Sequence, residues 1–390
     1  MSTRPNHILP LIVLSQFAGT SLWFAGNAIL PDIEQHLDLG KGALGNITSA
    51  VQLGFITGTL LFAVLSLADR FSPSRVFFIS SILAALSNLG IIWFVNDSFS
   101  LIAFRFLTGF FLAGIYPVGM KIAADWYEKG LGKALGWLVG ALVLGTALPH
   151  LLRASSQHFP WKDILVFTSC FAMIGGLLVL LFIKDGPYRK KSQGFHPRNI
   201  VSIFGSKDFR SAAFGYFGHM WELYTFWAFV PALLILNNDP SINISLWSFI
   251  IIGSGSLGCI AGGYLAIKKG SVKIAFYALM ISGICCLLSF LLIKTSPAIF
   301  LPFLFIWGFA ATADSPQFSA LAANIAAPEY KGTALTIVTC IGFSITIISI
   351  QLFNYILNHV SADGSTKIFL ILAIGPIFGL AFLYRLFKKK

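Results

Sequence analysis

The sequence predicts an all-α membrane protein of twelve transmembrane helices, and three observations carry that reading. Hydrophobic residues make up 56% of the chain and charged residues only 11%, against roughly 25% charged in an ordinary water-soluble domain. So few charges cannot cover a water-facing surface. Apolar runs of about 20 residues recur from end to end, each long enough to cross a bilayer core of about 30 Å as a helix. The connections between these runs alternate between basic and charge-poor, the pattern that sets membrane topology.

Taken in order, the spans fall at 8–31, 44–67, 75–95, 98–124, 134–152, 163–183, 210–236, 246–267, 274–293, 297–326, 333–357 and 367–387. The first follows "MSTRPNH" with no short cleavable signal, so it is expected to be retained. "DRFSPSR" follows span two, "YEKGLGK" span four, "KKGSVK" span eight and "YKG" span ten. The longest connection, after span six, carries Lys184, Arg189, Lys190, Lys191, Arg198, Lys207 and Arg210, and the chain ends "RLFKKK". The odd-numbered connections are short and poor in Lys and Arg, as in "NDS" and "NNDPSINIS". Positive residues stay on the cytoplasmic side, so both termini are expected in the cytoplasm. The formal charge of +12 is then a topology signal facing anionic lipid, and nucleic acid is not an expected partner. The five cysteines, Cys170, Cys259, Cys285, Cys286 and Cys340, all fall inside apolar runs. They read as small buried hydrophobes, with no disulfide framework.

The central loop divides the chain into residues 1–183, a linker 184–209 and residues 210–390, six spans on each side. The halves match weakly at an offset of about 200 residues. "LSLADRFSPSR" lies over "GYLAIKKGSVK", with Leu67 and Ala68 against Leu265 and Ala266 and Arg75 against Lys273. "GIYPVGMKIAA" lies over "ADSPQFSALAA", sharing Pro117 and Pro316, and "GKAL" lies over "GTAL". Pro31 ends span one as Pro231 nears the end of span seven. Parallel six-helix repeats are one of the two plans of secondary transporters, which place the substrate near the bilayer midplane between the repeats.

At "LADRFSPSR" the chain resembles the major facilitator superfamily, whose signature between its second and third spans has the form Gly-x-Leu-Ala-Asp-Arg-x-Gly-Arg. Asp69, Arg70 and Arg75 carry the match, while Leu65 and Ser72 stand where glycines are usual. "RFLTGFFLAG" resembles the fourth-span signature, an arginine followed by spaced glycines. The resemblance covers nearly the whole chain. It implies two pseudo-symmetric six-helix bundles and alternating access. It also implies that Arg105 faces the central cavity, where it tunes proton coupling or holds a substrate anion. The fifth span, "GWLVGALVLGTALPHLL", lacks the Gly-Pro-rich signature common in the superfamily's antiporters, which favours uptake over export.

Ionisable residues at membrane depth are costly and mark function by default. In span seven, steps of three and four place Tyr216, His219, Leu223 and Phe226 on one stripe, with Glu222 one turn from His219. A carboxylate and an imidazole so placed can share a proton; they can also simply fix helix packing. In span ten, Trp307, Asp314, Gln317 and Phe318 share a face, and Pro316 breaks the backbone ladder beside Asp314. Glu222, His219 and Asp314 are therefore the candidates for proton carriage. Arg105 cannot usefully deprotonate and needs an acid or an anion. The candidate substrate-binding residues are Arg105, Tyr116, Trp23, Asn27, Gln52, Tyr216, Tyr224, Gln317 and Gln351. Asp69, Arg70, Arg75, Lys121 and Asp125 read as a cytoplasmic gate, with Lys121 and Asp125 four apart on one helix face. His150 and Arg153 stand near the outer end of span five, as an interfacial anchor or an attraction for anions.

No Gly-rich loop with Lys-Ser or Lys-Thr is present, so ATP is not expected to drive the chain directly. No Cys/His cluster has zinc spacing, and "HMWE" puts His219 and Met220 on different helix faces. No nucleophile–base pattern suggests an enzyme. The sequence thus predicts a multi-pass transporter of the inner (plasma) membrane, a monomer among lipids. It needs no cofactor, draws on a proton gradient, and takes up a small polar or anionic organic solute by symport. Proton-driven export of hydrophobic or cationic compounds, and transport of a metal ion or chelate, are the alternatives.

Overall fold

The computed structural model of the chain describes residues 5–35, 37, 39–40, 42–127, 130–155, 160–189, 200–327, 331–360 and 366–389. Lys190, Lys191 and Arg198 of the central loop, Glu128 and Lys129, Tyr330 and Lys390, all part of the topology pattern, lie outside those residues.

Among the described residues no strand forms, and twelve helices are long and apolar enough to cross a membrane. They are α1 (Ile8–Ile33), α2 (Ala43–Val64), α3 (Pro73–Phe94), α4 (Ser98–Trp126), α5 (Leu131–Ser155), α6 (Trp161–Phe182), α7 (Lys207–Asn237), α8 (Ile244–Lys269), α9 (Ser271–Leu292), α10 (Pro297–Ile325), α11 (Lys331–His359) and α12 (Ile368–Lys388). Local chemistry sets their ends. Asp97 and Ser100 form a reciprocal capping box at the start of α4. Ser206 and Asn243 cap α7 and α8 with side-chain oxygens. The second span is shorter than the sequence suggests. Ser66 takes a left-handed conformation (φ 50°), which stops the helix and starts the short helix Leu67–Arg70.

Helices α1 to α6 and α7 to α12 form two bundles with the same internal pairing: α2 on α4 and α8 on α10, α3 on α6 and α9 on α12, α1 on α6 and α7 on α12. The bundles meet where α5 lies along α8 and α2 along α11. The α2–α4 contact is backbone on backbone, because a Cβ on Gly109 would lie 2.0 Å from the Val51 carbonyl oxygen. Small residues replace the hydrophobic drive that lipid does not supply between helices.

Three spans are interrupted at mid-depth. α1 breaks between Thr20 and Ala25, α4 between Leu112 and Tyr116, and α10 at Asp314. The α4 and α10 breaks stand at equivalent places in the two halves, just before Pro117 and Pro316, each in the first turn of the segment that follows. Proline tolerates that position because the first N–H groups of a helix have no intrahelical acceptor. Pro31 and Pro231 lie inside helical segments of α1 and α7, yet only α1 is broken.

Candidate functional site

A cavity of about 650 Å³ lies between the bundles, within the range of small-molecule sites. It runs from an aromatic roof to the end carrying the α2–α3, α4–α5 and α10–α11 connections. The roof packs Trp23, Phe55, Tyr224, Trp227 and Phe343. Ring centroids lie 4.9 Å apart for Trp23 and Phe55, 4.5 Å for Phe55 and Phe343, and 5.1 Å for Tyr224 and Trp227. One wall is the aliphatic strip Leu131, Leu135, Val139, Leu142 and Val143 of α5. Hydroxyls of Thr59, Ser315, Ser319, Thr336 and Thr339 and the charged groups of Asp69, Lys121 and Lys331 stand around the rest.

Beyond the roof the bundles are shut. Gln351 of α11 donates to Ser49 Oγ of α2 at 3.0 Å and to Asn46 Oδ1 at 3.3 Å. One turn on, Asn354 packs on Gly45, where a Cβ would come within 2.8 Å of its amide carbon.

Tyr116, Tyr216, His219 and Tyr224 line the cavity, with Asp69 and Lys121 at its wide end. Asp314 sits directly behind His219. It is wholly buried, and its Oδ1 lies 2.9 Å from His219 Nδ1, while Ser315 Oγ meets the other ring nitrogen at 2.8 Å. The α10 break places both partners, since Asp314 caps the segment that begins at Ser315. A cavity-facing imidazole backed by a buried carboxylate is thus assembled from α7 and α10.

Glu222 does not face the cavity. One turn along α7 from His219, it is sealed inside the second bundle. It accepts from Trp307 Nε1 at 2.7 Å, Ser282 Oγ at 2.9 Å and Cys286 Sγ at 3.3 Å. At about 100° per residue, three residues leave the two side chains about 60° apart around α7, enough to aim one at the cavity and the other at α9 and α10.

Arg105 also departs from the expectation. It is wholly buried, and it donates to the carbonyl oxygens of Leu22 (3.2 Å) and Trp23 in the α1 break. Carbonyls freed by the broken helix take its N–H groups, so it does not line the cavity in this conformation. Asn27 donates to Thr48 Oγ1 at 2.7 Å and Gln52 is buried on the same face of α2, both away from the cavity. Gln317 is turned toward Gly262 of α8. Gln351 belongs to the bridge that closes the far end.

At the wide end Lys121 pairs with Asp69 at 2.8 Å and with Asp125 at 3.8 Å. Arg70 and Arg75 are exposed and make no ion pair among the described residues. Arg189 takes the place expected of them. It donates to the Asp69 and Phe71 carbonyls and pairs with Asp185, which in turn accepts from Ser72 at 2.7 Å. Asp185 lay in the sequence between two basic residues, with nothing to mark it. Arg153 pairs with Asp32 in the last turn of α1 at 2.5 Å. Among the described residues no three His, Cys, Asp or Glu side chains gather as a metal site would need.

A family model described as Major Facilitator Superfamily matches residues 12–350. An uncharacterised protein of Campylobacter jejuni is 25% identical over 283 residues, 71% of this chain and 86% of that protein. The niacin transporter NiaP of Acinetobacter baylyi is 35% identical over 112 residues, 26% of this chain and 25% of that protein. Among solved structures, a bacterial homologue of the human lysosomal transporter Spinster, inward-facing and occupied, superposes with a TM-score of 0.73 at 13% identity. That match covers 100% of this chain and 98% of the other, and at this identity the likeness is one of fold.

Proposed function

The chain belongs to the Major Facilitator Superfamily and is a secondary transporter; from that premise we propose that it takes up a small polar or anionic organic solute together with protons. The observation that carries this reading is a central cavity open toward one end and shut at the other by the roof and the α2–α11 bridge. That is the geometry of one state of an alternating-access cycle. The wide end carries the basic connections and so faces the cytoplasm of the inner membrane, with both termini on that side. Residues 1–183 and 210–390 are the two rocking units, linked through 184–209, and the protein works as a monomer.

Proton coupling falls to His219 and Asp314. A proton reaching His219 from the cavity makes an imidazolium facing the Asp314 carboxylate. The ion pair ties α7 to the broken turn of α10, and its loss frees them. Proton occupancy therefore biases one orientation over the other, as any ligand with differential affinity does. Glu222, walled off from the cavity, is a tether of α7 to α9 and α10. With Lys121 paired to Asp69 and His219 backed by Asp314, Lys331 is the cation along the described lining that makes no ion pair, which favours a neutral or anionic solute. Niacin, named for one relative, is an organic acid.

The test is accumulation of radiolabelled small organic acids in proteoliposomes under an imposed pH gradient. Wild type is expected to concentrate a substrate. His219→Gln and Asp314→Asn are expected to lose accumulation and keep exchange of that substrate. Undiminished accumulation in both variants overturns the coupling role.

One observation favours a second reading. The aliphatic strip on α5 suits a compound with an apolar body, which fits proton-driven export of hydrophobic compounds. Protection of sensitive cells against such compounds, without uptake of organic acids, would select it.

A further inference from the structure

Three tyrosines reach the middle of the cavity from both bundles, Tyr116 from α4 and Tyr216 and Tyr224 from α7. Neighbouring residues of α11 gather them. The Tyr216 ring rests on Gly342, where a Cβ would come within 2.4 Å of it, and the Tyr224 ring lies 5.1 Å from Phe343. Phe343 meets Phe55 at 4.5 Å, and Phe55 lies 6.4 Å from Tyr116. The three phenol oxygens are within electrostatic reach of one another. None of these hydroxyls makes a hydrogen bond among the described residues, and none is sealed in protein, so all three open on the cavity. A phenol both donates and accepts, and inside a folded protein it ordinarily has a partner.

The surroundings narrow what that partner is. The walls beside the tyrosines are Met220, Leu223, Leu142 and Val143, so a molecule polar all over would leave most of its groups unsatisfied there. The carboxylate along the described lining is Asp69, which stands at the wide end and is paired with Lys121. A cation among the tyrosines thus meets no free counter-charge. His219 adds a second kind of donor, its ring 6.0 Å from that of Tyr216. Above, the roof presents the ring faces of Trp227 and Phe343, which suit a flat apolar body.

We propose that Tyr116, Tyr216 and Tyr224 hold the carboxylate of an aromatic acid whose ring lies under the roof. The assignment rests on the uptake reading and narrows its substrate class. One carboxylate oxygen accepts from Tyr116 and the other from Tyr216 and Tyr224. Tyr116 belongs to the first bundle and the other two to the second, so the bound acid draws the bundles together. Binding thereby favours a closed arrangement over the open one, as differential affinity requires.

Benzoate, benzamide and acetate are the probes: benzamide keeps the ring without the charge, and acetate the charge without the ring. In equilibrium dialysis the purified protein is expected to bind benzoate about tenfold or more tighter than either. Tyr116→Phe and Tyr216→Phe keep the rings and their packing. Each should weaken benzoate about tenfold, the strength of one hydrogen bond to a charged acceptor, and weaken benzamide less. Saturating benzoate should also slow labelling of Thr336→Cys, at the wide end, by an impermeant thiol reagent, and should not slow it when Tyr116→Phe is added. The background is Cys170→Ser, Cys170 being the exposed cysteine among the five. Equal affinity for the three probes, or benzoate affinity unchanged in both Phe variants, overturns the subsite. Benzoate bound as expected with labelling at its unliganded rate overturns the draw between the bundles. Accumulation of ringless acids under a pH gradient by a protein that does not bind benzoate removes the subsite and leaves the uptake reading standing. Benzoate binding without accumulation of any acid does the reverse.

Discussion

Trp307 donates its indole N–H to Glu222 at 2.7 Å, and this bond ties the middle of α10 to the middle of α7 inside the second bundle. Ser282 and Cys286 of α9 complete a nest of three donors from two helices. The consequence of removing the acceptor follows from that count. Glu222→Gln keeps the volume and a carbonyl for Trp307, so the variant is expected to fold and to retain pH-driven accumulation. Glu222→Leu leaves the indole N–H and the Ser282 hydroxyl buried without an acceptor. Each such group costs about 1–3 kcal/mol. Thermal unfolding in detergent should show a clear drop for Leu and a small one for Gln. Equal melting temperatures for all three proteins would remove the tether; loss of accumulation in Gln alone would return Glu222 to proton carriage.

Close helix approach gives a second prediction. Gly109→Ala puts a methyl group 2.0 Å from the Val51 carbonyl oxygen, a backbone atom that cannot swing away. The helices α2 and α4 must separate, and overpacking of this kind costs about 1–3 kcal/mol or more. Gly132→Ala, with nothing within 4 Å of the new methyl, is the matched control. Size-exclusion profiles and melting curves should separate the pair, with Gly109→Ala unstable and Gly132→Ala like wild type.

The twelve spans and the two-bundle plan were legible because hydrophobic length and loop charge act locally, one segment at a time. So was the break in α10, because Pro316 announces it beside Asp314. The break in α1 was not, since "TSLWF" carries no proline and the carbonyls it frees are met by Arg105, which reaches across from another helix. The candidate site was legible as a set of residue types and less so as directions. Helical periodicity put His219 and Glu222 one turn apart. Which of the two looked into the cavity depended on where α9 and α10 pack, and no local pattern records that. Likewise Arg70 and Arg189 are equally basic residues in connections. Only the fold brings the second, and not the first, onto the Asp69 turn.

The cap of α4 predicts a pH dependence with a defined sign. The Ser100 backbone N–H, with its hydroxyl, holds the exposed Asp97 carboxyl below its ordinary value of 3.8. A carboxylate favoured in the folded state adds stability above its unfolded pKa, and that stability is lost as pH falls through the folded value. Asp97→Ala should therefore melt lower than wild type at pH 7. The gap should close as pH drops below about 3.8. Asp97→Asn, which keeps an N-cap oxygen without titrating, should melt nearly as wild type at pH 7 and show no such closing. A gap for Asp97→Ala that persists unchanged at low pH would assign the effect to something other than the carboxylate.

On the alternating-access proposal the far-end bridge favours the state seen here, so its removal shifts the balance in a defined direction. Gln351 makes two hydrogen bonds to α2, and water replaces these partners when the seam opens. Each bond contributes about 1 kcal/mol net, so Gln351→Ala moves the balance by about 2 kcal/mol. That is roughly a thirtyfold change in the ratio of the two orientations. Gly45→Ala acts in the same direction by a different route, pressing a methyl group against the Asn354 amide and wedging α2 from α11. Both variants should speed labelling of a cysteine at position 52 by an impermeant reagent from the far side. Both should also slow labelling of a cysteine at cavity-lining position 339 from the wide end. Asp69→Asn weakens the Lys121 pair at that opposite end and leaves the bridge untouched, so it should not speed labelling at position 52 as the other two do. If Gln351→Ala leaves both labelling rates at wild-type values, the bridge is not what holds the far end shut, and the roof of Trp23, Phe55 and Phe343 must hold it alone.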